Sequence, residues 1–176
     1  MDGYVQLDEI SMDILKEIGN VGTGNAVTSL SQMMEQPIEL DMPSLKVVKY
    51  YKMHELLEQP EELQTGILIE VTGQLKGIFL FMLSEAFTKT VINTILGEEE
   101  RNLTSLDDME CSLISELGNI MCGSYIRALS QLMDMDMDVS VPELCIDMGG
   151  AILSYPMTRW VIVSDDILLI ENIFHM

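Results

Sequence analysis

Two pairs of side chains in the sequence combine a carboxylate with a carboxamide at a spacing suited to hydrolysis. Glu17 and Asn20 lie three residues apart, and Glu116 and Asn119 repeat the arrangement. Residues three apart on a helix are neighbours on one surface. The carboxylate of such a pair can bind a lysine or arginine of a docking macromolecule, and the carboxamide can hold a water molecule. Because phosphoryl hydrolysis depends on an aligned water and neutralised charge, each pair is a candidate site for it.

Both pairs belong to a longer pattern that occurs twice without a gap. Asp13 stands four residues before the first glutamate, and Pro43 stands 23 residues after the first asparagine. Ser112 and Pro142 take the same places in the second copy, in which every position is shifted by 99 residues. The register indicates an internal duplication, with repeats at about 7–97 and 106–176 inside one domain of 176 residues.

A single Glu–Asn pair is most simply explained as part of a solvated helix face. The second copy changes this interpretation, because both pairs stay in register while other polar positions differ. Lys16 is replaced by Ser115, and Thr28 is replaced by Arg127. Shared ancestry of the two halves explains some matches, but it explains less well why exposed Glu and Asn are retained. We therefore expect the pairs to be functional.

The composition limits the classes of function. The chain has a formal net charge of −20, and a nucleic acid or an anionic membrane would repel it. The excess of acid is explained either by solubility or by a partner with a basic face. No apolar run reaches the roughly 18–20 residues of a membrane span, and Met1–Asp8 has no secretory-signal pattern. We expect a globular, cytoplasmic protein.

Cysteine and histidine do not suggest a second kind of site. Cys111, Cys122 and Cys145 have no metal-ligand spacing, and we interpret them as reduced thiols. His54 and His175 lie in unrelated contexts, so a histidine-based metal site or catalytic triad is not expected. The sequence thus predicts no metal or cofactor bound by the chain itself.

Two long helices must position the pairs. Apolar residues at helical spacing, including Ile10, Ile14 and Ile18, predict a helix over Leu7–Glu35, and Leu106–Met133 repeats it. At about 100° per residue, the motif residues of the first helix and Gly24 fall in a sector of about 60° outside the apolar arc. That sector should face solvent, and the missing side chain at Gly24 should leave room for an approaching partner.

Strands and short helices follow each long helix, which predicts an α/β fold without the alternation of a parallel sheet. The predicted extended segments or strands are Ile38–Val48, Gly66–Thr72, Lys76–Leu83, Met137–Asp147, Arg159–Val163 and Ile167–Phe174, and the predicted shorter helices are Tyr51–Gln59 and Ser84–Leu96. Asp165 and Asp166 are placed at a turn, and Glu98–Asn102 is placed at the seam between the halves.

The second repeat lacks its last strand. A shift of 101 residues lays Gly66–Leu75 over Ile167–Met176, and no counterpart of Lys76–Leu83 follows. An apolar strand without a partner exposes backbone groups that invite pairing with another chain. The sequence leaves three outcomes open: an edge-paired oligomer, a rearranged C-terminal segment, or a monomer with a frayed end.

The repeated pattern resembles the CheC family of bacterial chemotaxis phosphatases, within the CheC/CheX/FliY group, over nearly the whole chain. The resemblance implies a pseudo-twofold α/β fold with two long helices beside a mainly antiparallel sheet. It also implies hydrolysis of the aspartyl phosphate of a CheY-type response regulator, with Mg²⁺ held by the regulator. The implied roles are regulator binding for Glu17 and Glu116, water placement for Asn20 and Asn119, and support of the motif for Asp13, Ser112, Pro43 and Pro142.

The same resemblance implies a second partner, a CheD-type receptor deamidase. The stretch Asp147–Ala151 is similar to the family segment implicated in that contact, so Asp147 is the candidate partner-binding residue. The alternative to an enzyme is therefore an adaptor that binds the deamidase or the regulator without turnover. The sequence favours the enzyme because neither Glu–Asn pair is degraded.

Overall fold

The computed structural model describes residues 8–41, 43–57, 59–160, 166–171 and 173–175. Within these ranges, four α-helices and eight strands form an α/β fold with antiparallel strand pairing, which confirms the predicted fold class. In chain order they are α1 (Glu9–Met33), β1 (Glu39–Leu40), β2 (Ser44–Lys49), β3 (Leu63–Gly73), β4 (Gly77–Ser84), α2 (Glu85–Leu96), α3 (Asp108–Met133), β5 (Met137–Val139), β6 (Glu143–Met148), α4 (Gly149–Trp160), β7 (Asp166–Glu171) and β8 (Phe174–His175). None of the helices in these ranges has the length and apolar character to cross a membrane.

The two long helices begin where an aspartate caps them. Asp8 accepts a hydrogen bond from the backbone N–H of Ser11 at 2.7 Å, so α1 begins at Glu9. Asp107 and Glu110 form a reciprocal capping box, with bonds of 2.8 and 2.9 Å, so α3 begins at Asp108. Both predicted long helices are confirmed, but the observed helices are shorter. Each begins one residue after its capping aspartate, and α1 ends at Met33 instead of Glu35. Leu7, the predicted start of the first helix, lies outside the described residues.

Helices α1 and α3 pack against each other through a glycine. A Cβ added at Gly22 would lie 2.8 Å from Cε1 of Tyr125, so only a glycine lets the ring approach α1 this closely. The Tyr125 hydroxyl also forms a hydrogen bond with the hydroxyl of Thr23, and both residues are buried. Each helix therefore presents one side to the other and turns its motif residues outward.

The buried arc of α1 differs from the predicted one at its N-terminal end. Ile10 is 75% exposed and Ile14 is 51% exposed, although the apolar spacing placed both on the buried side. The buried residues of the helix are Ile18, Gly19, Gly22, Thr23, Ala26 and Leu30. At Gly22 the close approach of Tyr125 of α3 requires a glycine, and at Gly19 Leu45 of β2 packs on the backbone. The spacing of large apolar residues does not detect these contacts.

Strand β3 is the centre of the largest sheet. It pairs antiparallel with β4 on one side and with β5 and β6 on the other. Its residues Ile67, Ile69 and Val71 are buried in the core, together with apolar residues of α1, α2 and α3. The predicted hairpin of β3 and β4 is confirmed.

Strands from one half of the chain pair with strands from the other half. In β6, Leu144 is opposite Ile67 of β3, and in β2, Leu45 is opposite Ile170 of β7. Since Leu45 and Leu144 are equivalent positions, Ile67 corresponds to Ile170, a shift of 103 and not the predicted 101. A slip of two residues keeps each side chain on its face of the sheet, and the alternation of the sequence therefore does not reveal it.

The final strand was predicted to lack its hairpin partner. Within the described chain no strand lies on that edge of β7, but its other edge has a partner that was not predicted. Strand β7 pairs along all six of its residues with β2, and β8 pairs with β1. The partner is the extended segment of the first half, which the sequence reasoning did not consider as a neighbour. In the described part of the second half, β4 and α2 have no counterpart.

Helix α4 occupies a region for which the sequence predicted no clear structure. The helix includes Arg159 and Trp160, where the predicted strand Arg159–Val163 was to begin. The rest of that predicted strand, and Asp165 of the predicted turn, lie outside the described part of the chain. The backbone N–H groups of Gly149 and Gly150 donate to the carbonyls of Glu62 and Pro60 at 3.0 and 2.9 Å. These bonds satisfy donors that a helix N-terminus leaves free, and they tie α4 to the start of β3. The predicted helix at Tyr51–Gln59 is a shorter 3₁₀ turn, Tyr50–Glu55.

Two glycines of α1 test whether contact with α3 fixes the helix pair. We expect Gly22→Ala to lower the free energy of unfolding by about 1–3 kcal/mol, because the new methyl group overlaps the Tyr125 ring. Gly24→Ala is the matched control, because no atom lies within 4 Å of the added Cβ. There we expect a gain of up to about 1 kcal/mol from helix propensity. Urea unfolding of both variants measures this, and equal effects would contradict the packing described above.

Candidate functional site

The first Glu–Asn pair lies on the outer side of α1. Glu17 and Asn20 are exposed, and within the described chain neither side chain makes a hydrogen bond. Asp13, one turn before the pair, is exposed and lies 3.6 Å from the Lys16 ammonium through Oδ1. The helix thus presents a free carboxylate and a free carboxamide side by side, both available to another molecule.

The second pair occupies the equivalent side of α3. Glu116 and Asn119 are exposed, and Nδ2 of Asn119 donates to Oε2 of Glu116 at 3.3 Å. Ser112 donates to the carbonyl of Asp108 at 2.7 Å, so its hydroxyl is directed at its own helix. The position shared by Asp13 and Ser112 therefore makes different contacts in the two copies. The Glu and Asn positions are exposed in both copies, although only the second pair is joined by a hydrogen bond.

Pro43 lies where the chain returns to the level of the first pair. Two residues later, the side chain of Leu45 packs on Gly19, the neighbour of Asn20, and a Cβ at Gly19 would lie 3.0 Å from Cδ1 of Leu45. Pro43 separates β1 from β2, which agrees with the absence of a backbone donor in proline. Pro43 itself is half-buried, two residues before the leucine that packs on Gly19.

Pro142 lies at the corresponding break between β5 and β6. Just before it, Ser140 donates its backbone N–H to the carbonyl of Glu70 at 2.9 Å and accepts from the N–H of Glu70 at 3.0 Å through its hydroxyl. In the first half, the equivalent residue is Asp41, whose backbone N–H donates to the carbonyl of Ile173 at 3.2 Å. The sequence reasoning missed these anchors, because they depend on pairing between the halves.

Open space lies next to each asparagine. A Cβ at Gly24, one turn after Asn20, would meet no atom within 4 Å. A Cβ at Gly123, one turn after Asn119, would meet only Nη1 of Arg127, at 3.5 Å. The expectation that a glycine leaves room beside the carboxamide is consistent with both surroundings.

Asp147 is exposed at the end of β6, directly before α4. Its Oδ1 accepts from the backbone N–H of Met148 at 2.7 Å, and Met148 is itself exposed. It belongs to neither Glu–Asn pair, so the structure leaves Asp147 as a separate surface position. Among the described residues, no group of three or more His, Cys, Asp or Glu side chains is arranged to hold a metal ion.

Two segments of the chain, residues 10–46 and 109–146, match the sequence model of the CheC-like family. Both halves of the chain are thus similar to the CheC-like family. Both segments contain one Glu–Asn pair and its proline, and the resemblance seen in the sequence is therefore confirmed. This similarity rests on these matched segments and on the relatives that follow.

Two relatives carry names that describe an activity. The chain is 28% identical over 168 residues to the CheY-P phosphatase CheC of Bacillus subtilis. The matched region covers 94% of this chain and 80% of the relative. The chain is 30% identical over 108 residues to the CheY-P phosphatase CheX of Thermotoga maritima, which covers 58% of this chain and 66% of the relative.

Two solved structures share the fold. FliY of Thermotoga maritima superposes with a TM-score of 0.75 at 24% identity, covering 97% of this chain and 85% of that one. The FliM middle domain of Helicobacter pylori superposes with a TM-score of 0.64 at 14% identity, covering 96% and 84%. Identities this low show a common fold and do not define an activity.

The cysteines differ in accessibility and provide a chemical check on the packing around α3. Burial raises the pKa of Cys122 to about 12. Burial and the charge of Asp147 raise the pKa of Cys145, which is exposed. A raised pKa keeps a thiol protonated, and the protonated form does not react with alkylating reagents.

The pKa of both thiols is raised, so accessibility should decide which one reacts. We expect iodoacetamide at pH 8 to label the exposed Cys145 slowly in the folded protein and to leave the buried Cys122 unlabelled. In urea, both residues should react. Mass spectrometry of labelled peptides measures the two rates. Labelling of Cys122 in the folded protein at the rate of Cys145 would contradict the packing of this side of α3.

Proposed function

We propose that this chain hydrolyses the aspartyl phosphate of a CheY-type response regulator at two sites, one on α1 and one on α3. The observation that carries the proposal is the repeated outward pair: Glu17 with Asn20, and Glu116 with Asn119, each beside open space at a glycine. The names of the relatives support the same substrate class. A response regulator as substrate assigns the reaction to the cytoplasm.

In the proposed mechanism the glutamate contributes mainly to docking. Its exposed carboxylate forms an ion pair with a lysine on the regulator, which orients the helix over the phosphorylated aspartate. Such a pair in solvent adds about 0–1 kcal/mol and is weakened by salt. The regulator supplies Mg²⁺, which neutralises charge on the phosphoryl group.

The asparagine contributes mainly to the chemical step. Its carboxamide oxygen accepts a hydrogen bond from a water molecule and directs the water oxygen at phosphorus, in line with the aspartyl oxygen. As the new P–O bond forms, the bond from phosphorus to the aspartyl oxygen breaks and leaves a carboxylate. The products are the unmodified regulator and inorganic phosphate, and the proton of the water passes to phosphate or solvent. The asparagine is uncharged and performs no proton transfer itself.

The two sites are expected to work independently, because they lie on different helices and face outward. Asn20→Ala and Asn119→Ala should each remove part of the turnover, and the double variant should remove nearly all of it. Decay of a regulator labelled with radioactive phosphate measures the rates. Loss of all turnover in one single variant that remains folded would exclude two competent sites.

The matched control replaces Glu17 and Glu116 with Gln, which keeps the size and removes the charge. This change should raise KM and reduce its dependence on salt, whereas the Asn variants should lower kcat with little effect on affinity. If regulator binds the wild-type protein but no variant or wild-type sample releases phosphate, the chain is an adaptor and not an enzyme.

We also propose Asp147 as a contact for a CheD-type deamidase. Its exposed position beside Met148, apart from both Glu–Asn pairs, would allow a second partner to bind without covering them. Asp147→Ala should weaken binding of the deamidase in a calorimetric titration and leave regulator turnover unchanged. Unchanged deamidase affinity would rule out this contact.

A further inference from the structure

The two Glu–Asn sites differ in one charge. Thr28 of α1 and Arg127 of α3 are equivalent positions, and each follows its asparagine by eight residues. In each helix a glycine lies halfway between the asparagine and this position: Gly24 in α1 and Gly123 in α3. The three residues therefore form one ridge along the helix. Only the second site has a cation on that ridge.

The Arg127 side chain extends back along α3 towards Asn119. Its Nη1 lies 3.5 Å from the place of a Cβ on Gly123, and its Nη2 donates to the hydroxyl of Ser124 at 3.3 Å. Ser124 is fully buried, and its hydroxyl donates to the carbonyl of Ile120 at 2.8 Å. The guanidinium therefore has a fixed anchor and covers the open space of the second site.

Within the described chain, Arg127 has no carboxylate within ion-pair distance, although the protein carries 29 acidic residues and 9 basic ones. Glu116 lies eleven residues earlier on the helix, about 16 Å along its axis. A guanidinium presents several donors in a planar fork that fits phosphate oxygens. Its free donors face the space beside the asparagine that is proposed to direct water at phosphorus.

The first site has no equivalent group. The Thr28 hydroxyl donates to the carbonyl of Gly24 at 3.0 Å, so it is directed at its own helix. The nearby ammonium of Lys16 lies 3.6 Å from the carboxylate of Asp13 and is thereby partly neutralised. An anion that approaches Gly24 therefore meets no free cation on this ridge.

We infer that Arg127 binds the phosphoryl oxygens of the phosphorylated regulator at the second site. This makes the α3 site the one with the higher affinity for phosphorylated regulator, and the α1 site the one with the lower affinity. The inference rests on the proposed function and adds a residue that distinguishes the two sites. Asn119 and Arg127 lie two helical turns apart, about 12 Å along the axis. Because the Arg127 guanidinium reaches back over Gly123, it lies about one turn, or roughly 6 Å along the axis, from Asn119, which leaves room for a phosphoryl group to contact both side chains.

The experiment isolates the second site with Asn20→Ala. In this background we compare three substitutions: Arg127→Ala, Arg127→Lys and the control Lys76→Ala. Lys76 is a suitable control because it is an exposed base in the β3–β4 turn and has no ion-pair partner in the described chain. A CheY-type regulator phosphorylated with acetyl phosphate is the substrate. Steady-state kinetics give kcat and KM, and calorimetry gives the affinity for the unphosphorylated regulator.

We expect Arg127→Ala to raise KM about fivefold, the effect of losing roughly 1 kcal/mol from an exposed charge-assisted contact. Arg127→Lys should recover part of this loss because it retains the charge, and Lys76→Ala should have no effect. Affinity for unphosphorylated regulator should stay unchanged in all three. In a separate Asn119→Ala background, Thr28→Arg should lower the KM of the first site.

Other results overturn the inference. Equal weakening for phosphorylated and unphosphorylated regulator would mean that Arg127 contacts a carboxylate of the partner surface. Unchanged KM with normal turnover would remove Arg127 from the site and leave the proposed function intact. Absence of turnover in the Asn20→Ala parent would refute the proposed function of the second site, and the inference would fall with it.

Discussion

The contact between α1 and α3 determines which surface of each helix is available for function. Gly22 allows the Tyr125 ring to approach the backbone of α1, and the Thr23 hydroxyl satisfies the hydroxyl of that ring inside the core. A buried hydroxyl without such a partner would be costly. Because each helix buries the side that faces the other, the two Glu–Asn pairs are held on outward surfaces that no described element covers.

The spacing from asparagine to proline follows from the dimensions of a helix and a strand. From Asn20 to the end of α1 at Met33, the helix advances about 20 Å, at 1.5 Å per residue. The extended segment from Glu39 to Leu45 returns about the same distance, at roughly 3.3 Å per residue. This return brings Leu45, two residues after Pro43, onto Gly19, the neighbour of Asn20. The separation of 23 residues is therefore the length of chain needed to leave the site and come back to it.

Sequence periodicity predicted the long helices, the β3–β4 hairpin and the surface of each helix that carries the motif, because these depend on contacts between near neighbours. Strand exchange between the halves was not predicted, since alternation shows which face is buried and does not identify the neighbour. Helix α4 was missed because its start depends on carbonyls of Pro60 and Glu62. The difference between Thr28 and Arg127 follows from the repeat, but the hydrogen bond from Arg127 to Ser124 depends on how the side chains of α3 pack, which sequence spacing does not define.

The exchange of strands also has a consequence for the order of folding during synthesis. Leu45 pairs with Ile170, so this residue of β2 has no partner in a neighbouring strand until 125 further residues have been made. Contacts this distant in sequence carry a large loop-closure entropy and form slowly. An emerging chain would expose the backbone of β2 throughout that interval, and the acidic character of the molecule, with a net charge of −20, would oppose association of such chains on the ribosome.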